Sequence, residues 1–564
     1  MMKRINLLIY VLVFLVIISC NQQSKNYKRI SVDEFRDKMK GAWTGQMAGV
    51  GWGAPTEFDF TDQIIPADKV PEWKNEMVNQ HGNDDIYVEM TFLASMDKHG
   101  LDVSIRQAGI DFANSGYNLW AANNAGRENL RHGIAPPESS HPQYSNNCDD
   151  IDYQIEADYS GIIAPGMPNI PVELGEKFGR LMNYGDGLYG GQFVGSMYSA
   201  AYFGNDMEKI IETALKSIPE ESHYATCVRD VLNWYRENPS NWQETWNKIE
   251  EKYHRSGEYQ KFAAQKGSWV PIDAKLNGAY IVLGLLYGKG DMDSTIIISM
   301  RGGKDSDCNP SNAAGVLATT IGYENLPEKF KAALDKEKKF SYSEYNFNDL
   351  IHLSEDFTRQ FIVRNGGKIE TDEKGEEYFL LPVNDAVPLP YIPSYDPEPC
   401  NADNKYTDLE LKQIKAYSYL DFEPVFAEVG MNIQVRHCGK SVTPGVIEWN
   451  NKTDVVSTTP MSNQRSVELA ITDKNIVPEG KKGYFIFSAG HDKGQKWKLV
   501  VKKGWQNIIE EEISEATSKN GWKNFKIDIS DAAGKESLGI TFLAENLDEQ
   551  PAINYWADMK FVVE

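Results

Sequence analysis

Glycine recurs every fourth residue, at Gly41, Gly45 and Gly49, in "EFRDKMKGAWTGQMAGVGWGAPTEF", residues 34–58. Directly ahead, Ser31-Val32-Asp33-Glu34 has the spacing of a capping box, in which serine and glutamate side chains satisfy amides of the first helical turn. A helix is therefore expected from this point, and the four-residue period lines its glycines up on one face. A face without side chains lets a second helix approach to near backbone contact. Three later stretches have the same small-residue character: residues 184–203, with Gly190, Gly191, Gly195, Ser196, Ser199 and Ala200, residues 276–291, and residues 311–322. Close-packed helices, without strand–helix alternation, are expected to about residue 345.

The chain has 564 residues, 41% of them hydrophobic and 11% aromatic, enough for two or three domains with separate cores. Its first stretch, "MMKRINLLIYVLVFLVIISCNQQ", has basic Lys3 and Arg4, an apolar run and then Ile17-Ile18-Ser19-Cys20. Residues 1–20 are expected to be a signal peptide. Their end resembles the bacterial lipobox, which makes Cys20 the expected lipid anchor, with a transmembrane anchor as the alternative. Residues 21–28 are polar and are expected to be a tether, leaving an exported body, periplasmic or surface-exposed, held at a membrane of the cell envelope. Once Lys3 and Arg4 leave with the leader, 56 basic side chains face 81 acidic ones, which disfavours nucleic acid as a partner. The remaining cysteines, Cys148, Cys227, Cys308, Cys400 and Cys438, are scattered and show neither a zinc spacing nor a dense disulfide framework.

Acidic residues cluster in three places. In "HGNDDIYVEMTFLASMDKHG", Asn83 is a good N-cap and Gly100 a good stop, so Asp84 and Asp85 fall in a first helical turn, where the macrodipole favours anions. In "NNCDDIDYQIEADYSG", Asp149, Asp152 and Glu156 share a helical face opposite Ile151 and Ile155, the pattern of a solvated acidic face. In "RGGKDSDCNPSNAAG", Asp305 and Asp307 precede a helix that Asn309 would cap, with Pro310 at its first position. Each cluster has a structural explanation by itself. Four carboxylates, Asp84, Asp85, Asp305 and Asp307, converging from two helix starts would instead call for bound cations. All-oxygen ligands favour Mg²⁺, Mn²⁺ or Ca²⁺ over zinc.

The order "GAWTGQMAGVGWGAPTEF", "GNDDIYVEMTFL", "RGGKDSDCNPSNAAGVLATTIG" resembles the ADP-ribosylglycohydrolase family, relatives of dinitrogenase reductase-activating glycohydrolase, over roughly residues 29–345. The resemblance implies an all-α domain, placed at 29–365, that hydrolyses the glycosidic bond of a ribosyl group with one or two Mg²⁺-type ions. By motif, Asp84 and Asp85 match the family's Thr-Asp-Asp ligands, with Asn83 in place of the hydroxyl residue. Asp305 and Asp307 match Asp-x-Asp-Thr, with Cys308 in place of the hydroxyl. An amide oxygen at Asn83 can bind a hard cation, whereas a thiol at Cys308 is a poor match. Glu57, Asp85 and Asp305 are the expected catalytic residues, with Glu57 as acid/base or water-positioning group. Asp149, Asp150 and Asp152 are expected as further cleft carboxylates, and with Gly190, Gly191, Asn277 and Asn309 they form the expected substrate-binding set. Stabilisation of an oxocarbenium-like transition state is the implied chemistry. His81 is expected to be structural or to stand behind the ligands.

From residue 366 the chain becomes proline-rich, and residues 366–430 are expected to form an extended connector with a short helix at "TDLELKQIKAYSYL". Short strand-like segments such as "YFIFSAG", "KWKLVVKKG" and "LGITFLAEN" then predict a β-sandwich at 431–564. It resembles the galactose-binding-like jelly rolls of carbohydrate-active enzymes, and Trp449, Trp505 and Trp522 could stack on sugars or fill a core. Three functional classes follow: a metal-dependent ADP-ribosylglycohydrolase-type hydrolase, an exported glycosidase of the same fold acting on a glycan, and a non-catalytic sugar-binding lipoprotein.

Overall fold

The computed structural model describes residues 27–259, 272–463, 465–474, 476–535 and 537–564, so the expected leader, Cys20 and positions 21–26 lie outside the described residues. The helices that position the site are α1 (Val32–Gly53), α2 (Asp84–His99), α3 (Ala121–Arg131), α4 (Asp186–Ala201), α5 (Ala274–Tyr287), α6 (Cys308–Ile321) and α7 (Phe347–Arg364). Ser31 caps α1, its Oγ accepting the Glu34 amide at 3.1 Å. The glycine row, extended one turn by Gly53, lies against α6 and the turn before it. A Cβ on Gly45 would stand 2.5 Å from the Ala318 Cβ, and one on Gly49 would stand 2.1 Å from the Pro310 carbonyl oxygen. Helices α4 and α5 pack behind α6, and almost every residue of α4, α5 and α6 is buried.

Three strands flank this body: β1 (Tyr27–Ser31), β2 (Lys368–Thr371) and β3 (Glu377–Pro382), in the antiparallel order β1-β3-β2. The boundaries expected for the tether and the connector are corrected here. Tyr27 and Lys28 pair with Pro382 and Leu381, so the chain ahead of α1 and the start of the connector form one sheet on the helical domain. That pairing buries Phe379 and Leu381 and sets the Phe379 ring edge-on to Phe35 of α1, 5.2 Å between centroids. Beyond β3 the chain is extended and lies along the helical body. Ser394 Oγ accepts the Asp186 amide at 2.7 Å, and His141 Nε2 meets the Glu398 carbonyl at 2.8 Å.

Among the described residues the C-terminal module has ten strands: β4 (Ile433–Arg436), β5 (Val446–Trp449), β6 (Lys452–Thr458), β7 (Val467–Lys474), β8 (Gly483–His491), β9 (Trp497–Lys503), β10 (Gln506–Ile513), β11 (Trp522–Asp528), β12 (Ser537–Asn546) and β13 (Asn554–Val563). They form two antiparallel five-stranded sheets, β10-β9-β12-β7-β4 and β11-β8-β13-β6-β5. Alternating residues such as Leu469, Phe487, Trp497, Phe542 and Trp556 fill a core of their own, the period-two pattern of a sandwich. Trp505 is fully exposed at the β9–β10 hairpin, while Trp522 is buried and Trp449 stacks on Tyr555 with centroids 3.9 Å apart. Among the described residues no helix is long and apolar enough to cross a membrane, and no two cysteines are joined by a disulfide.

Gly49→Val drives a branched side chain into backbone atoms that cannot swing away. It is expected to destabilise the helical domain by about 1–3 kcal/mol, whereas Gly204→Ala, which enters open space, is expected to stay within about 0.5 kcal/mol. Denaturant midpoints of the two variants check this.

Candidate active site: a carboxylate pocket at three helix ends

The α1–α6 contact decides where the chain goes next. After Gly53 a single 3₁₀ turn (Ala54–Thr56) delivers Glu57. This exit loop is fastened to the turn before α6: Thr56 Oγ1 and Ser306 Oγ are 2.8 Å apart, and the Phe58 amide donates to the Lys304 carbonyl at 3.1 Å. Lys304 holds φ +60°, so the chain doubles back and directs Asp305 and Asp307 toward Glu57. The start of α2 closes the third side. Asn83 caps it, its side-chain oxygen accepting the Asp85 amide at 2.9 Å, which sets Asp84 and Asp85 in the first turn. His81 is an anchor for this start, with Nε2 at 2.9 Å from the Asp335 carbonyl.

Donor atoms of Glu57, Asp305 and Asp307 lie within 4.8 Å of one another, and so do those of Asp85, Asp307 and Cys308. Asp307 belongs to both groups. Glu57 is exposed at the rim, Asp84 is partly exposed, and Asp85, Asp305, Asp307 and Cys308 are buried. Burial raises all five carboxyls. Glu57 is pushed up to about 8 by burial and then by the charges of Asp307 and Asp84. Asp305 rises to about 7, chiefly through burial, with Glu57 and Asp85 adding to it. Asp85 and Asp307 go well above the carboxylate range through burial and mutual repulsion. Among the described residues no lysine or arginine pairs with any of the five; nearby Lys304 and Lys275 are engaged by Glu250 at 3.3 Å and Asp273 at 2.5 Å.

The pocket suits a hard divalent cation. Asp85 Oδ1 and Asp305 Oδ1 are buried without hydrogen-bond partners, and the donors are carboxylate oxygens. Cys308 fits least well, because its thiol donates to Asp85 Oδ2 at 3.1 Å and behaves as a weak hydrogen-bond donor.

Asn309 and Pro310 depart from expectation. Helix α6 begins at Cys308 with Asp307 at the cap, and no side-chain bond closes that cap, so Asp307 spends its carboxyl on the pocket. Asn309 is instead a buried partner of Asn277, donating to its side-chain oxygen at 2.8 Å and joining α6 to α5. At Gly190 and Gly191 a Cβ would strike Gln154 and the Tyr153 ring, so both serve helix packing.

The acidic run from Asp149 is likewise not a solvated face. All of Asp149, Asp150, Asp152 and Glu156 are buried, and only Asp152–Ile155 is helical. Asp150 accepts the amides of Ala122 at 2.9 Å and Asp152 at 3.0 Å. Asp152 accepts the Asn123 amide at 2.5 Å, and the Asn123 side chain donates to Glu156. Asp152 and Glu156 both feel the charge of Asp84, which places them beside the pocket, while Asp149 faces Lys275.

A further buried pair escaped the sequence reading. Gln46 Nε2 donates to Glu89 and, at 2.7 Å, to Asp158, whose two oxygens also accept from Asn312 at 3.0 Å. The available signals were Glu89, four residues after Asp85 on α2, and Gln46 inside the glycine-striped helix.

The family model described as ADP-ribosylglycohydrolase matches residues 31–365. No curated protein matches the chain. The solved structure "ADP-ribosylglycohydrolase-related protein complex" is 13% identical at a TM-score of 0.38, covering 58% of this chain and 99% of that one. "CBM4 structure and function" is 8% identical at a TM-score of 0.16, covering 23% and 94%. Neither likeness is close enough to carry an argument about function.

Asp158 supplies a pH test in EDTA. Its carboxyl is pushed up to about 8 by burial, so between pH 4 and 8 the folded state holds a proton that the unfolded chain has lost. Stability therefore falls as pH rises through that window and levels off above it. Asp158→Asn, which mimics the protonated form, is expected to flatten part of the slope of thermal midpoint against pH.

Proposed function

The chain belongs to the ADP-ribosylglycohydrolase family, whose members hydrolyse glycosidic bonds, and we propose that its carboxylate pocket binds Mg²⁺, or Mn²⁺ or Ca²⁺, to cleave a ribosyl, ADP-ribosyl-like glycoside. The observation that carries this reading is the meeting of Glu57, Asp85, Asp305 and Asp307 without a compensating cation among the described residues. Asp84, Asp85, Asp305 and Asp307 are the holders of the ion, with the Asn83 amide oxygen beside them already engaged as the α2 cap. When bound, the cation neutralises the pocket and supplies electrophilic binding of sugar hydroxyls or water.

The protein's own groups do the proton work. Glu57 sits at the open rim, where burial and the neighbouring carboxylates push its carboxyl up to about 8, and from there it can give a proton to a leaving oxygen and take one from water. Asp305, buried behind it with its donor atom within 4.8 Å of that of Glu57, would help hold the cation. Asp85 is fixed by the Cys308 thiol and the Asn83 cap, so its role is holding, not proton transfer.

The leader ending at Cys20 supports an exported lipoprotein of the cell envelope, tethered to membrane and without nucleic-acid partners. An exported enzyme with a sandwich docked beside its cleft favours, as the second reading, a glycan O-glycoside handled by the same pocket; the Arg465–Asn118 contact between the two domains supports it.

Mg²⁺, Mn²⁺ or Ca²⁺ is expected to raise the thermal midpoint of the wild-type protein and not that of Asp305→Ala, a gain of about 2.7 kcal/mol at a hundredfold excess over Kd. Glu57→Gln is expected to keep the metal shift and lose roughly 10²–10⁴ in turnover. Assays for release of ADP-ribose and of monosaccharide from oligosaccharides decide the substrate; a wild type that turns over neither, and shows no metal shift, refutes the hydrolase reading.

A further inference from the structure

The sandwich reaches the helical domain through the segment between β6 and β7. There Arg465 donates from Nη2 to the side-chain oxygen of Asn118 and, at 2.9 Å, to His437 Nε2. Asn118 is tied to the first turn of α2, where Asp84 and Asp85 stand. Its carbonyl accepts the Tyr87 hydroxyl at 3.0 Å, and Tyr87 lies one turn beyond Asp84 on α2. A few residues later, the Ala122 and Asn123 amides hold Asp150 and Asp152. Tyr342, 55% exposed and held at φ +59°, sets its ring edge-on to Tyr87 and Tyr117 at 5.4 and 5.6 Å. The sandwich thus places a guanidinium, beside an exposed aromatic ring, at the rim of an anionic cleft.

The one carboxylate whose charge is felt at Arg465 among the described residues, Glu468, is taken by Arg436 at 3.0 Å. Among the described residues no carboxylate makes an ion pair with Arg465, nor with Arg127, buried close to it on α3. The acid next to Arg127, Glu128, is taken by Arg131 at 2.9 Å and by the Tyr419 amide at 2.9 Å. Burial and Arg131 bring Arg127 down to about 9, and burial among arginines holds His437 neutral. Among the described residues, the buried Nε atoms of Arg465 and Arg127 have no hydrogen-bond partner. An unpaired, partly desolvated guanidinium is costly unless an anion visits it, and its planar donor edge matches phosphoryl and carboxylate groups.

We propose that Arg465 is a specificity residue of the cleft, binding a phosphoryl or carboxylate group that the substrate carries outside the carboxylate pocket, so that both domains read one ligand. The proposal rests on the pocket being a glycohydrolase site. Tyr342 offers the adjoining ring surface, and Asn118 sets the distance between the two recognition points.

Calorimetry on the full mature chain loaded with Mg²⁺ tests this with ADP-ribose, glucuronate, ribose and glucose as probes. The wild type is expected to bind ADP-ribose more tightly than ribose, or glucuronate more tightly than glucose; which pair shows the preference identifies the anion. Arg465→Gln is expected to lose that preference, roughly ten- to hundredfold in Kd, with neutral-sugar binding and the Mg²⁺ thermal shift unchanged. Arg465→Lys is expected to retain part of it. His132→Ala, which removes a separate interdomain contact to Asp421 at 3.3 Å, is expected to leave it intact. Equal losses on neutral probes, no effect of Arg465→Gln, or a wild type without anion preference overturns the proposal. A wild type that keeps the preference but shows no Mg²⁺ shift removes the metal reading and leaves this one standing.

Discussion

Backbone-to-backbone approach of α1 and α6 is the contact on which the rest depends. Glycine at four-residue spacing removes the side chains that would hold two helices 8–10 Å apart, and the Pro310 carbonyl occupies the space a Gly49 side chain would need. Both helices have their pocket ends on the same side, so the exit from α1 and the entry to α6 become neighbours joined through Thr56 and Ser306. A wider helix pair would separate Glu57 from Asp307 and dissolve the pocket without altering a single candidate ligand.

Having brought acids together, the fold must handle their charge, and it does so differently at three depths. At the rim, Glu57 keeps solvent contact, with its carboxyl pushed up to about 8 by burial and its acidic neighbours. In the pocket, Asp85, Asp305 and Asp307 share no cationic side chain among the described residues, the situation a divalent ion resolves. Deeper, Glu89 and Asp158 share the amide of Gln46, and Asp150 and Asp152 are spent on backbone amides in the first turn of α3. The amide-bound acids set the shape of the wall, and the orphaned oxygens of Asp85 and Asp305 mark where chemistry remains available.

The sandwich is tied into this arrangement at the rim. Arg465 and Met461 meet Asn118 and Arg131 across the boundary, with His437 behind Arg465, and the extended connector pins Asp186 and His141 on its way there. The module therefore contributes charge to the cleft's surroundings as well as an independent core.

Local chemistry along the chain determined the capped start of α1, the glycine stripe, the acidic first turn of α2, the family and the period-two strands of the C-terminal module, because each is written within one or two helical turns or one strand. Only the tertiary structure decided that Asp149–Glu156 turn inward to bind amides, since a helical face reads alike whether it meets water or a buried backbone. Only it showed that Gly190 and Gly191 are packing residues, that Asn309 joins Asn277, and that β1 pairs with β3 some 350 residues away. Those outcomes depend on which distant surface arrives opposite a residue, and spacing along a chain carries no record of that.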